Sequence, residues 1–124
     1  MLGPVTILLI AVGGASGAVA RYVVDGFVSE RVGPGFPWGI LIVNLSGAFV
    51  LGAFLTVVHH GAARAFFAVG VLGAYTTFSS LAMETVLLVK DHHAGLGVAY
   101  MGATIAFGLL SAWIGSLAAR LLSG

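Results

Sequence analysis

At 124 residues, with 60% hydrophobic and only 7% charged side chains, the chain lacks the charged surface that a soluble domain of this size needs. A net charge of +1 is too small to point to a nucleic-acid partner, and the absence of cysteine removes disulfide and thiol chemistry. Little sequence remains outside long apolar stretches, so neither a soluble catalytic domain nor enzyme activity is expected.

The charged residues leave four long uncharged runs, Met1 to Ala20, Val32 to Ala63, Ala65 to Met83 and Ala94 to Ala119. Each is about the length that crosses a ~30 Å hydrocarbon core, which takes roughly 20 residues. The expected fold is therefore an all-α integral membrane protein. It forms a single domain of four transmembrane helices at about 4–24, 38–58, 65–90 and 96–121.

In the first predicted helix, Gly13, Gly17 and Arg21 recur every four residues and share one face, with Gly14 and Ala18 beside them. Small residues at this spacing let helices approach closely in a membrane. Arg21, near the end of the span, either snorkels to the interface or lines a wet vestibule. Ala18-Val19-Ala20 has the form of a leader cleavage site. The stretch before it carries no Lys or Arg, however, so the helix is expected to be retained. The link that follows holds Asp25, Glu30 and Arg31, then the turn cluster Gly33-Pro34-Gly35 and Pro37, with Trp38 suited to the membrane interface.

The second helix has one strongly polar interior residue, Asn44. Its amide either projects a donor into a pathway or ties neighbouring helices together. The pairs His59-His60 and His92-His93 read as solvated interfacial residues without partners for a metal site.

The third helix carries the most informative stretch, GVLGAYTTFSSLAME from Gly70 to Glu84. Gly73 frees the backbone from helical dihedrals, and Thr76, Thr77, Ser79 and Ser80 offer the freed groups other partners. This predicts a helix broken in mid-membrane. Such a break must be buried in protein or line a polar cavity, and it is how several transport folds build ion sites. Glu84 is an ionisable group within the span, or a cap on a polar patch near Lys90. In the fourth helix Tyr100 and Thr104 stack on one face, with Gly108 next along it, and Ser111 with Gly115 forms another small pair.

If the spans alternate, Arg64 and Arg120 lie on one side of the membrane and Arg21, Arg31 and Lys90 on the other. Two against three is almost no bias for a rule that normally fixes orientation. Either a loop-poor chain simply has few charges, or it inserts both ways.

Taken together, GGASGAVARY at Gly13 to Tyr22, GILIVNLSGAFVLG at Gly39 to Gly52 and the Gly70 to Glu84 stretch resemble the Fluc (CrcB) family of fluoride channels over essentially the whole chain. The resemblance implies an antiparallel, dual-topology homodimer in the cell's inner (plasma) membrane, with two pores exporting fluoride passively. It implies a structural Na⁺ at the dimer centre, held by backbone carbonyls of Gly73 and Thr76 from both copies. Its pore residues match Asn44, Phe78, Ser79, Ser80, Glu84, Tyr100 and Thr104, with Arg21 in the vestibule. Two positions depart from the family pattern. Leu81 stands where a second pore Phe is usual, and Gly108 stands where a hydroxyl is common. A Phe restored at position 81 is expected to leave conduction equal or higher. The competing reading, a small proton-coupled dual-topology exporter, would place a carboxylate in the first span, where this chain has none.

Overall fold

The computed structural model describes residues 3–124, and among them every regular element is helical. Met1 and Leu2, at the head of the first uncharged run, lie outside the described residues. The elements are α1 (Pro4–Val32), α2 (Trp38–Val57), a π-helical segment (Arg64–Leu72), α3 (Gly73–Tyr75), α4 (Phe78–Lys90) and α5 (Ala94–Ser123). Four stretches, Pro4–Val32, Trp38–Val57, Arg64–Lys90 and Ala94–Ser123, are long and apolar enough to cross a membrane.

The first helix runs past the expected end near Val24 to Val32. The charged residues of the supposed link continue the helix because they find partners one turn away. Ser29 Oγ donates to Asp25 Oδ1 at 3.2 Å, and the Arg31 guanidinium lies 4.3 Å above the Phe27 ring. The stop comes where the chain requires a left-handed residue. Gly33 has φ 75°, its N–H closes on the Ser29 carbonyl at 3.0 Å, and Pro34 follows. At about 1.5 Å per residue α1 is about 44 Å long against a ~30 Å hydrocarbon core, so its charged end overhangs into the interface.

Two contacts between bare backbones set the packing. A Cβ on Gly13 or Gly17 would run into the carbonyl oxygen of Phe66 or Val71, so α1 lies directly on the π-helical segment. Gly52 meets the Ala112 backbone and Gly115 meets that of Phe49, which brings α2 and α5 together in the same way. Among the buried side chains Ile40, Leu41, Leu81 and Tyr100 form a compact cluster, flanked by Phe36, Leu45, Leu88 and Met101. Many other large apolar side chains, among them Val5, Leu8, Leu109 and Leu122, are exposed, as suits helices bathed in lipid.

Between α4 and α5 the chain turns on His92, which has φ 64°. The His93 N–H bonds the Leu88 carbonyl at 2.8 Å and the His92 N–H bonds that of Val89 at 3.2 Å, the paired closure that usually ends on glycine. A side chain in this conformation costs about 1 kcal/mol. His92→Gly is therefore expected to raise the unfolding free energy by about 1 kcal/mol, read by thermal unfolding in detergent. A variant no more stable than the parent would show that the turn is not strained.

Candidate functional site

The third span is not helical throughout. Thr76 (φ −77°, ψ 151°) and Thr77 (φ −148°, ψ 118°) are extended between α3 and α4. In a continuous helix the Thr77 N–H would bond the Gly73 carbonyl and the Ser80 N–H that of Thr76. Instead the Thr77 N–H goes to Asn44 Oδ1 at 2.8 Å, and the Ser80 N–H goes to Thr77 Oγ1 at 3.2 Å, which caps α4. Asn44 Nδ2 donates in turn to the Thr77 carbonyl at 3.1 Å. One carboxamide on α2 thus pairs with both backbone groups of Thr77, as a neighbouring strand would.

The link is held from other directions as well. Arg21 Nε donates to the Ala74 carbonyl at 3.2 Å, at the last turn before the link. Thr76 folds its own hydroxyl back on the Leu72 carbonyl at 3.1 Å. Ser46 and Tyr75 share a hydrogen bond of 3.0 Å, and a Cβ on Gly47 would strike the Thr76 methyl group and crowd the Tyr75 ring. Ser46, Gly47 and Tyr75 were not singled out from the sequence. Their signal was position alone, since Ser46 and Gly47 follow Asn44 within one turn of α2.

Gly73 and Thr76 therefore present carbonyls whose helical donors have been diverted to side chains. Oxygens of this kind are what a hard cation such as Na⁺ takes, so the donor chemistry fits the expected ion. Among the described residues no group of three or more His, Cys, Asp or Glu side chains offers a different metal site.

A groove of about 420 Å³ opens beside the link, lined by Asn44, Thr76, Thr77, Phe78, Leu81 and Thr104. Ala48 and Gly108 are also in its wall. Phe78 stands 75% exposed at its edge. Leu81 is only 5% exposed and belongs to the Ile40, Leu41 and Tyr100 cluster, so a larger ring at this position must displace packed neighbours.

The other expected residues divide. Ser79 is exposed, its hydroxyl 3.3 Å from that of Thr77, and Ser80 is half-buried. Thr104 is buried and spends its hydroxyl proton on the Tyr100 carbonyl at 2.8 Å, so in this geometry it offers the groove an acceptor. Tyr100 is fully buried, its ring edge-on to Phe36 at 5.3 Å, and its hydroxyl has no hydrogen-bond partner. Glu84 does not join the groove. It sits about 9 Å along α4 from Phe78. There it lines a separate cavity of about 510 Å³ with Asp91, His93 and the turn from Gly33 to Pro37. Arg21 is half-buried, with its Nε–H on the Ala74 carbonyl.

Comparison with known proteins bears on this arrangement. The family model described as CrcB-like protein, Camphor Resistance (CrcB), matches residues 8–116. A protein of Rhodospirillum rubrum named Fluoride-specific ion channel FluC is 38% identical over 125 aligned positions, which cover 95% of this chain and 97% of that one. Proteins of the same name from Thermus thermophilus and Rhizobium meliloti are 44% and 40% identical. Their alignments cover 87% and 88% of this chain, and 88% and 91% of those relatives, respectively.

The pairing of Asn44 with Thr77 makes a direct prediction. Asn44→Asp keeps the acceptor for the Thr77 N–H but sets a carboxylate oxygen against the Thr77 carbonyl. Unfolding free energy is expected to fall by about 1–3 kcal/mol, the cost of a polar group left facing the wrong partner. Ser46→Ala, which removes the shared bond to Tyr75, is expected to cost about 1 kcal/mol. Thermal unfolding of both variants in detergent measures the difference, and an Asn44→Asp protein as stable as its parent would contradict the pairing.

Proposed function

The chain belongs to the family of CrcB-like proteins, and on that footing we propose that it is a channel carrying fluoride passively out of the cell through the plasma (inner) membrane. As a channel it is a multi-pass membrane protein and not an enzyme. The observation that carries the proposal is the groove beside the Thr76–Thr77 link. It sets polar groups in an otherwise apolar groove beside a membrane-length segment.

Fluoride is small and strongly hydrated, so a path through hydrocarbon must replace its water with close donors. Asn44 has a second amide hydrogen beyond the one given to Thr77. The hydroxyls of Ser79 and Ser80, on the first turn of α4, are further donors that the proposed pore would use. The ring of Phe78 has a positive edge, and standing free at the groove it can turn that edge to an anion while keeping the path narrow. One turn along α5 from Thr104 lies Tyr100, whose unpartnered hydroxyl is a buried donor. In the proposed pore this hydroxyl would bridge the groove and the separate cavity lined by Glu84, where the anion would regain water.

We read the working unit as an antiparallel dimer. Gly73 and Phe78 are exposed on a single chain and the link between them is half-buried, and hydrocarbon cannot partner the carbonyls of Gly73 and Thr76. A second copy in the opposite orientation would cover this break in the third helix and close each groove into a pore. Na⁺ bound at the centre would supply charge to the Gly73 and Thr76 carbonyls of both copies. The two-against-three split of basic residues supports insertion both ways.

Three outcomes test this reading. Liposomes containing only this purified chain should release fluoride, followed with a fluoride electrode, and sealed liposomes would refute the function. Phe78→Leu keeps most of the apolar bulk and removes the ring edge. It should assemble normally and conduct about tenfold more slowly, a barrier increase of about 1.4 kcal/mol. Parent-like conduction would remove the ring from the mechanism. A cysteine introduced at His60 should be labelled from outside intact cells in about half of the molecules, as equal insertion both ways requires. Labelling from one side only would rule out dual topology.

A further inference from the structure

The side chain of Arg21 has an assignment more specific than a positive charge near a pore. Its Nε–H reaches across 53 residues of sequence to the Ala74 carbonyl at 3.2 Å. In an unbroken helix that carbonyl would accept from the Phe78 N–H and carry the helix on into α4. Held by Arg21, it ends the helical run instead, and a cation is favoured at this C-terminal end. Three residues on, Asn44 pins Thr77 by both its backbone groups. Ala74 and Thr77 are thus fixed by side chains from two different helices.

The reach of Arg21 follows from the glycines before it. Gly13 lies on the backbone of Phe66 and Gly70, and Gly17 on that of Val71. One further turn along α1 brings Arg21 level with Ala74. The glycine ladder and the arginine therefore act as one device, with close approach over two turns and a donor delivered on the third.

We propose that Arg21 is a positioning residue: by holding the Ala74 carbonyl it fixes where the Thr76–Thr77 link leaves the helix, and so where Phe78 stands in the groove. Its effect on conduction rests on the channel reading above, whereas its effect on the link does not. What matters is a donor at the Nε position. Charge alone is insufficient.

Three substitutions separate these requirements. Arg21→Gln places an amide N–H at the same distance along the side chain as Arg Nε and drops the charge. Arg21→Lys keeps the charge but puts a methylene at that point, and Arg21→Met keeps length with neither donor nor charge. Each is compared with the parent in liposomes carrying at most one channel, so that the rate per channel and the fraction of emptied liposomes are read separately. Amide exchange over residues 76–80 is measured in lipid nanodiscs on the same proteins.

Arg21→Gln is expected to conduct within about threefold of the parent, while Arg21→Lys and Arg21→Met fall about tenfold or more, the scale of one charged hydrogen bond. The fraction of emptied liposomes should stay constant. Exchange over 76–80 should speed up in the Lys and Met variants alone. A parent-like Lys variant beside a depressed Gln variant would assign Arg21 to charge only and overturn the proposal. So would a loss that appears solely as fewer active liposomes, which marks general stability. If the parent itself passes no fluoride the channel reading fails, and the exchange pattern still decides whether Arg21 positions the link.

Discussion

A backbone N–H or C=O in hydrocarbon has no water to fall back on, and this single requirement organises the structure around two residues. Once Thr76 and Thr77 leave the helix, each group they free must find a partner within the protein. The solution is side-chain chemistry. Asn44 stands in for a neighbouring strand, Thr77 Oγ1 caps the helix that resumes, Thr76 satisfies a carbonyl one turn back, and Arg21 holds the last helical carbonyl. The Gly73 and Thr76 carbonyls are left without their helical donors, and the proposed second copy and cation would meet them there.

That arrangement needs the helices close together, and glycine supplies the closeness. In lipid the hydrophobic effect gives helices no reason to associate, so contact must come from packing of backbone on backbone. Gly13 and Gly17 let α1 lie on the π-helical segment, and Gly52 and Gly115 seat α2 against α5. These contacts place Arg21 and Asn44 on two sides of one link. Function in this fold therefore depends on residues with no side chain as much as on those with polar ones.

Much of the fold was legible in the sequence because the charges are so few. The uncharged runs marked the membrane-length segments, and the small-residue spacing from Gly13 to Gly17 marked a packing face. The end of α1 was not legible. Asp25 to Arg31 reads as a polar link by composition, whereas local pairs to Ser29 and Phe27 keep it helical until Gly33. The π-helical turns were hidden too, because apolar periodicity does not distinguish a five-residue from a four-residue hydrogen-bond step. At the site, Asn44, Phe78, Leu81 and Thr104 line one groove, a grouping that came from the family resemblance and not from spacing. Glu84 goes to a separate cavity because it lies more than one helical turn along α4. The clamp that Asn44 makes on Thr77 could not be read from sequence, since an amide that donates to an ion and one that clamps a backbone look the same there.

The central claim is that Thr76 and Thr77 are extended and side-chain-paired while their neighbours are helical. Backbone ¹³C chemical shifts of the isotopically labelled protein in lipid bilayers, read by solid-state NMR, test it most directly. The account predicts strand-like Cα and Cβ shifts at Thr76 and Thr77, with helical shifts at Tyr75 and from Phe78 onward. Helical shifts running unbroken from Tyr75 through Phe78 would contradict it.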